Sequence, residues 1–197
     1  MRKILALIAV IAFAVSANAN EWTLDKGHSS VGFKVKHLVI AKTAGSFEKF
    51  DGKVWFDGKD FASGKVEFTV DMASVNTKDE KRDAHLKSPD FFAVDSFPTM
   101  TFKSTKVTAV DANNFTISGD LTIRGTTKPV TFNAMLNGVV DDPWNPGGKR
   151  AGFSATTTIN RQDFNVNFSK TTDKGGLIVD NMVDISVDVE VTMGPKK

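Results

Sequence analysis

Val31, Phe33, Val35 and His37 alternate with Gly32, Lys34 and Lys36, so a strand over this run has one apolar and one polar face. The same period of two recurs at Val66-Phe68-Val70, at Phe115-Ile117-Gly119-Leu121-Ile123 and at Val183-Ile185-Val187-Val189-Val191. Weaker alternation over 44–57, 99–108, 128–140 and 150–160 brings the expected strands to eight. Turn residues separate the runs at Asp57-Gly58, Ala62-Ser63-Gly64, Asp111-Ala112-Asn113-Asn114, Arg124-Gly125 and the Pro- and Gly-rich stretch 141–148. Eight half-buried antiparallel strands predict an all-β domain, built either as an up-and-down barrel or as a two-layer sandwich. The choice bears on function, because a barrel of about eight strands can hold one ligand, whereas a sandwich closes its core.

One segment breaks the alternation. Thr77 and Glu80 have the spacing of a capping box, which predicts a short helix starting there and ending at Ser88-Pro89, between the third and fourth strands. Asp90-Phe91-Phe92 and Phe97-Pro98 continue a connection longer than a hairpin requires, and such a segment is a candidate lid or mouth.

The first nineteen residues read as a basic start (Arg2, Lys3), an apolar run from Ile4 to Val15 and the small-x-small site Ala17-Asn18-Ala19. This is the pattern of a cleaved secretory signal, too short to span a bilayer, and it predicts export to the periplasm with 20–197 as a single domain. No second apolar segment follows, so no stable membrane insertion is expected. The predicted signal holds two of the 25 basic residues and none of the 23 acidic ones, which leaves the remainder balanced. Net charge therefore offers no pull on nucleic acid. With no cysteine, disulfides, thiolate nucleophiles and Cys-type metal sites are absent. Sixteen Phe against no Tyr points to an apolar interior rather than an aromatic binding surface.

No catalytic signature is present: no Gly-x-Ser-x-Gly elbow, no His-Glu-x-x-His and no phosphate loop ahead of a helix. His28, His37 and His85 lack metal-ligand spacing, so neither a metal nor another cofactor is expected. Strand parity places His37 on the inward face, either as a core histidine bonded to backbone or as a polar group meeting a ligand at the barrel rim. Arg82 and His85, three apart, lie on one side of the predicted helix, as a solvated face or as ligand contacts. Trp144 is expected to anchor its loop.

Trp22-Thr23-Leu24-Asp25, His28-Ser29, Val31-x-Phe33-x-Val35-x-His37-Leu38, Gly45-x-Phe47, Arg82-Asp83-x-His85-Leu86, Asp90-Phe91-Phe92, Phe97-Pro98-x-Met100-x-Phe102, Gly119-Asp120-Leu121-Thr122-Ile123-Arg124-Gly125 and Arg161-x-Asp163-Phe164 follow one another in a specific order and spacing. In these motifs the chain resembles the YceI-like family of periplasmic, polyisoprenoid-binding, lipocalin-like proteins. The resemblance implies an eight-stranded barrel rather than a sandwich, with an apolar tunnel for a long isoprenoid such as a quinone precursor or prenyl phosphate. It implies a binding protein, not an enzyme, and leaves a homodimer open. On that reading the inward positions Phe33, Val35, His37, Phe56, Phe68, Val70, Phe102, Leu121, Ile123, Phe132, Phe153 and Ile159 become cavity residues. His37, Arg82 and His85 would stand nearest a polar head group.

Overall fold

A computed structural model describes residues 19–195 apart from 59, 60, 62, 63 and 174, so the predicted signal lies outside the described residues except for Ala19. The strands are β1 (Asn20–His37), β2 (Ala41–Phe47), β3 (Phe50–Phe56), β4 (Lys65–Asp71), β5 (Val75–Asn76), β6 (Thr99–Ala109), β7 (Asn114–Ile123), β8 (Thr126–Asp141), β9 (Lys149–Asn160) and β10 (Val179–Met193). One helix, α1 (Glu80–Lys87), lies between β5 and β6. Antiparallel pairing runs β1-β3-β4-β6-β7-β8-β9-β10 and returns from β10 to β1, giving a closed eight-stranded barrel. Closure removes every edge from this ring and rules out the sandwich.

The expected single strand over 44–57 is two, because the wall bends at Glu48-Lys49. Beyond the bend β2 pairs with residues 31–37 of β1, while β3 pairs with residues 20–23. The amides freed there are not left bare: Glu48 N–H donates to the Ser74 carbonyl (3.1 Å) and Lys49 N–H to Ser74 Oγ (3.0 Å). β5 adds to β2 through Phe47↔Val75, which extends the barrel wall at this end. The first half of β1, residues 20–30, carries no alternation that predicts a strand. Its pairing with β10 slips between Asp25 and Ser30, where Gly27 N–H folds back onto Asp25 Oδ1 (3.1 Å).

The helix forms where expected but with a different cap. Asp79, not Thr77, is the N-cap, and its carboxylate accepts from Arg82 N–H at 3.0 Å. Thr77 is instead buried and bound to Asp83, to which its N–H donates (2.9 Å) and its Oγ1 donates (2.5 Å). Ser88 closes the helix as expected.

The end of the barrel away from α1 is packed shut. Trp22 stacks on Phe56 (4.6 Å between centroids), Phe61 stacks on Phe115 (4.8 Å), and Phe153 meets Phe56 and Phe61 at 5.4 and 5.1 Å. Trp22 Nε1–H donates to the Phe56 carbonyl (3.2 Å), so the buried indole is satisfied. Trp144 lies outside this floor. It is 75 % exposed and packs against the Arg150 guanidinium, 4.6 Å from its ring, rather than anchoring its loop in the core.

Candidate functional site

Above the aromatic floor the inward face of the barrel does not close on itself. A chamber of about 90 Å³ is bounded by Val66, Phe68, Val70, Phe102, Leu121 and Phe132 among others. A second, of about 100 Å³, lies nearer α1 between Phe33, Val35, Ile123 and Ile159 of the wall and Phe91, Phe92 and Phe164 of the connections. Val31, Met100 and Ile185 border both chambers and form the partition between them. A third space of about 230 Å³ shares Phe33, Val35, Leu86, Phe91 and Val179 with the second and reaches the surface beside α1. The three spaces form one line from the middle of the barrel to a mouth.

Three of the rings that bound this line are set against glycines. Phe33 pairs directly with Gly45, and Phe68 with Gly52, while Phe102 packs over Gly119. A Cβ built on any of these glycines would come within 2.4–2.6 Å of the ring above it. The missing side chain lets each ring lie against the wall instead of standing into the bore.

Ten of the twelve expected cavity residues line these spaces: Phe33, Val35, His37, Phe68, Val70, Phe102, Leu121, Ile123, Phe132 and Ile159. Phe56 and Phe153 face inward as parity requires, but they belong to the aromatic floor and line none of the three spaces. The connections supply what parity along the strands does not reach. Phe91 and Phe168 stack at 4.7 Å across the mouth, and the His85 ring meets both edge-on at 5.0 and 5.1 Å.

The segment carrying Phe168 has no regular strand structure, yet it is held closely. Arg161, only 5 % exposed, donates from Nε to the Asp180 carbonyl (2.9 Å), from Nη1 to that of Val166 (2.6 Å) and from Nη2 to that of Val179 (3.2 Å). Nη2 also donates to Asn181 Oδ1 at 3.0 Å. Burial lowers the Arg161 pKa from its ordinary value, opposed by the Asp180 carboxylate, and the ring of carbonyl acceptors takes the place of a counter-ion. Phe164, Val166 and Phe168 alternate, a signal in the sequence that could have pointed to this roof.

The mouth brings His37, Arg82 and His85 onto one space. Arg82 donates from Nε to Thr77 Oγ1 (2.7 Å) and from Nη2 to the Thr77 carbonyl (2.8 Å), which fixes the guanidinium while leaving N–H groups over. His85 Nε2 is 2.9 Å from Asp90 Oδ2. His37 is exposed rather than inward in the core, and among the described residues its ring has no hydrogen-bond partner. This arrangement is a narrow apolar passage with nitrogen donors at its rim, suited to a hydrocarbon chain carrying a polar end.

Residues 22–191 match the family model described as YceI-like domain. The chain belongs to the YceI-like family. It is 42% identical to Protein YceI of Escherichia coli O17:K52:H18 over 188 residues, covering 94% of each chain. It is 39% identical to a UPF0312 protein of Staphylococcus aureus strain N315, covering 87% of this chain and 97% of that one. Among solved structures, the YceI protein of Campylobacter jejuni superposes with a TM-score of 0.66 at 35% identity, covering 90% of this chain and 99% of the other. BcnA of Burkholderia cenocepacia gives a TM-score of 0.72 at 27% identity over 85% of this chain and 98% of that one. A polyisoprenoid binding domain from Saccharophagus degradans shares the fold, with a TM-score of 0.63 at 13% identity over 86% of this chain and 97% of that domain.

In this YceI-like barrel a second polar cluster lies at the far end, away from the cavity. Arg150 donates to Asp25 (2.9 Å), to Asp142 (3.1 Å) and to Glu190. His28 Nδ1 is 3.0 Å from Asp25. The His28 contact, and then Arg150, hold the Asp25 carboxyl down to about 2, while Asp25 raises the His28 pKa. Asp25, His28 and Glu190 stand close enough together to suggest a metal, but Arg150 already occupies the space between the two carboxylates as their cation.

Proposed function

We propose that this protein binds a polyisoprenoid lipid, its hydrocarbon lying along the two chambers and its polar end at His37, Arg82 and His85. The observation that carries the proposal is the succession of apolar spaces, divided by one partition, that leads from the middle of the barrel to a polar mouth. A hydrocarbon offers no hydrogen bonds, so its affinity comes from buried apolar area, about 25 cal/mol per Å² before entropy is subtracted. Together the three spaces reach the lower end of the ~300–1,000 Å³ range of ligand pockets. Met100 sits in the partition and is unbranched, so it is the side chain best able to move aside for a continuous chain. The relative from Saccharophagus degradans, described as polyisoprenoid binding, supports this ligand class.

On this proposal the role is binding and carriage rather than turnover, and the signal pattern of residues 1–19 supports a periplasmic location for it. Native mass spectrometry of the protein purified from its own cells, with analysis of its organic extract, tests the proposal. A stoichiometric prenyl lipid is the expected result. A bare chain that also fails to take up added prenyl lipids would overturn the reading.

A further inference from the structure

The turn joining β1 to β2 sets three large apolar residues into solvent at the barrel's mouth. Leu38 is 38 %, Val39 67 % and Ile40 86 % exposed. The strands that flank them supply His37 and Thr43 to the mouth space itself. Among the described residues the other exposed large apolar side chains, Val110, Met135, Val140, Trp144 and Met182, are scattered and nowhere form a run of three.

The backbone of this turn is costly for these residues. Ile40 N–H donates to the His37 carbonyl (3.2 Å), and the two central residues, Leu38 and Val39, have φ of 51° and 65°. Such mirror-image hairpin turns favour Asn-Gly, and a β-branched residue at positive φ is an outlier. Hydrophobic residues thus occupy positions where neither turn geometry nor burial calls for them. Strain of this kind persists where the surroundings enforce it and is concentrated at functional sites. Here Leu38 N–H donates to the Ile178 carbonyl (2.9 Å), tying the turn to the mouth segment that follows Phe168.

The charge around the turn is mainly basic, with Asp184 and Asp180 of β10 as its acidic neighbours. Lys34, Lys36 and Lys42 flank it, and Lys42 alone of the three is ion-paired, to Asp184 at 2.9 Å. Without the predicted signal the net charge is balanced and gives no general attraction to an anionic surface, so this local excess of lysine is what would orient the molecule.

We propose that Leu38, Val39 and Ile40 form a docking tip that dips into an anionic lipid bilayer and presents the mouth of the barrel to it. The three apolar side chains would enter the interfacial region while Lys34, Lys36 and Lys42 meet anionic headgroups. A lipid could then pass between bilayer and cavity without crossing water, a purpose that rests on the lipid-binding reading above.

Flotation with vesicles of phosphatidylethanolamine and phosphatidylglycerol tests docking, with phosphatidylcholine vesicles as the uncharged control. The triple variant Leu38→Asn, Val39→Gly, Ile40→Thr removes the apolar tip and installs residues that the turn prefers, so its folding is not at risk. The expected result is that the wild type floats with the anionic vesicles, that binding falls at least tenfold in the variant, and that added salt weakens it. A parallel titration with a fluorescent prenyl probe in solution reports on the cavity alone, and both proteins should bind it equally. Wild type that stays in solution, or a variant that floats as well, overturns docking whatever the probe shows. Dimers in analytical ultracentrifugation that the variant loses, without flotation, would assign the tip to a second copy of the chain and also overturn it.

Discussion

The two ends of this barrel are built from the same kinds of side chain and do opposite things with them. At the closed end Trp22, Phe56, Phe61, Phe115 and Phe153 fill the bore with rings 4.6–5.5 Å apart in successive contacts. At the open end Phe33, Phe68 and Phe102 lie over glycines, and Phe91, Phe92, Phe164 and Phe168 come from connections rather than strands. The wall supplies an apolar lining throughout. At the closed end the rings of the strands meet one another and Phe61 of the connection after β3; at the open end the two longest connections, over 72–98 and 161–178, arch over a space. Connection length and glycine placement, more than hydrophobicity, decide which end packs and which end binds.

The sharpest break in this comparison is Phe56→Ala. Phe56 is fully buried and touches Trp22, Phe61 and Phe153, so its removal should cost about 3–5 kcal/mol. Thermal denaturation should show a melting temperature lower by roughly 10 °C or more. The molecules that remain folded should still bind a prenyl probe with near wild-type affinity, because the floor is not the site. A large loss of affinity in the folded fraction would show that the two ends are not separate.

Ile185→Phe reverses the comparison by making the open end resemble the closed one. Ile185 borders both chambers, and a ring there would occupy the passage between them. Stability should change by no more than about 1–2 kcal/mol, since the ring enters existing space rather than a filled core. Prenyl-probe affinity should fall by about tenfold or more, about 1.4 kcal/mol. Equal affinity for variant and wild type would mean that the ligand does not pass this partition.

Much of the fold was legible in the alternation, and the failures have physical causes. Parity placed Phe56 and Phe153 inward, but inward is a property of one strand, whereas lining a cavity depends on what the opposite wall contributes. Residues 20–30 concealed half of β1 because the bulge at Lys26–Ser29 interrupts the period. Thr77 looked like a helix cap because its spacing to Glu80 fits, yet Asp79 sits closer to the first turn and its charged carboxylate accepts there. The Arg161 network joins the carbonyl of Val166 to those of Val179 and Asp180 at the start of β10, and no local pattern announces it. His37 lies far in sequence from Arg82 and His85, which share α1; it was the resemblance, not spacing, that joined it to them.

The polar clusters at the two ends sharpen the contrast through pH. Asp25 at the closed end is held to about 2, below its ordinary value of about 3.9, so its contribution is complete above about pH 4 and fades as pH falls toward 2. His28 is raised, so its contribution is complete below about pH 6.5 and is lost as pH rises through its folded value. Asp25→Asn should lower the melting temperature by only a few °C at pH 5, because the half-buried group stays within reach of solvent at the barrel's end and Asn keeps its shape. That difference should shrink by pH 2, where the wild-type carboxyl is itself losing its charge. A difference that stays constant from pH 5 to 2 would show that Asp25 acts through packing and not through its charge.

His37→Ala, which removes the ring and its donor, should have the smallest effect on folding and the most specific one on the mouth. His37 is exposed and makes no side-chain hydrogen bond among the described residues, so stability should move by no more than about 0.5 kcal/mol. A donor at the rim can matter only to a ligand that brings an acceptor there. Affinity for a prenyl phosphate should therefore fall a few-fold, while affinity for the matching prenyl hydrocarbon, which has no polar end, should not change. Arg82 and His85 differ from His37 in being held by Thr77 and Asp90, so replacing either would disturb the roof as well as the rim. Because His37 carries no such structural duty, an equal loss for both ligands would place it in the hydrocarbon path. No loss for either would remove it from the site and leave head-group contact to the two fixed side chains of the helix.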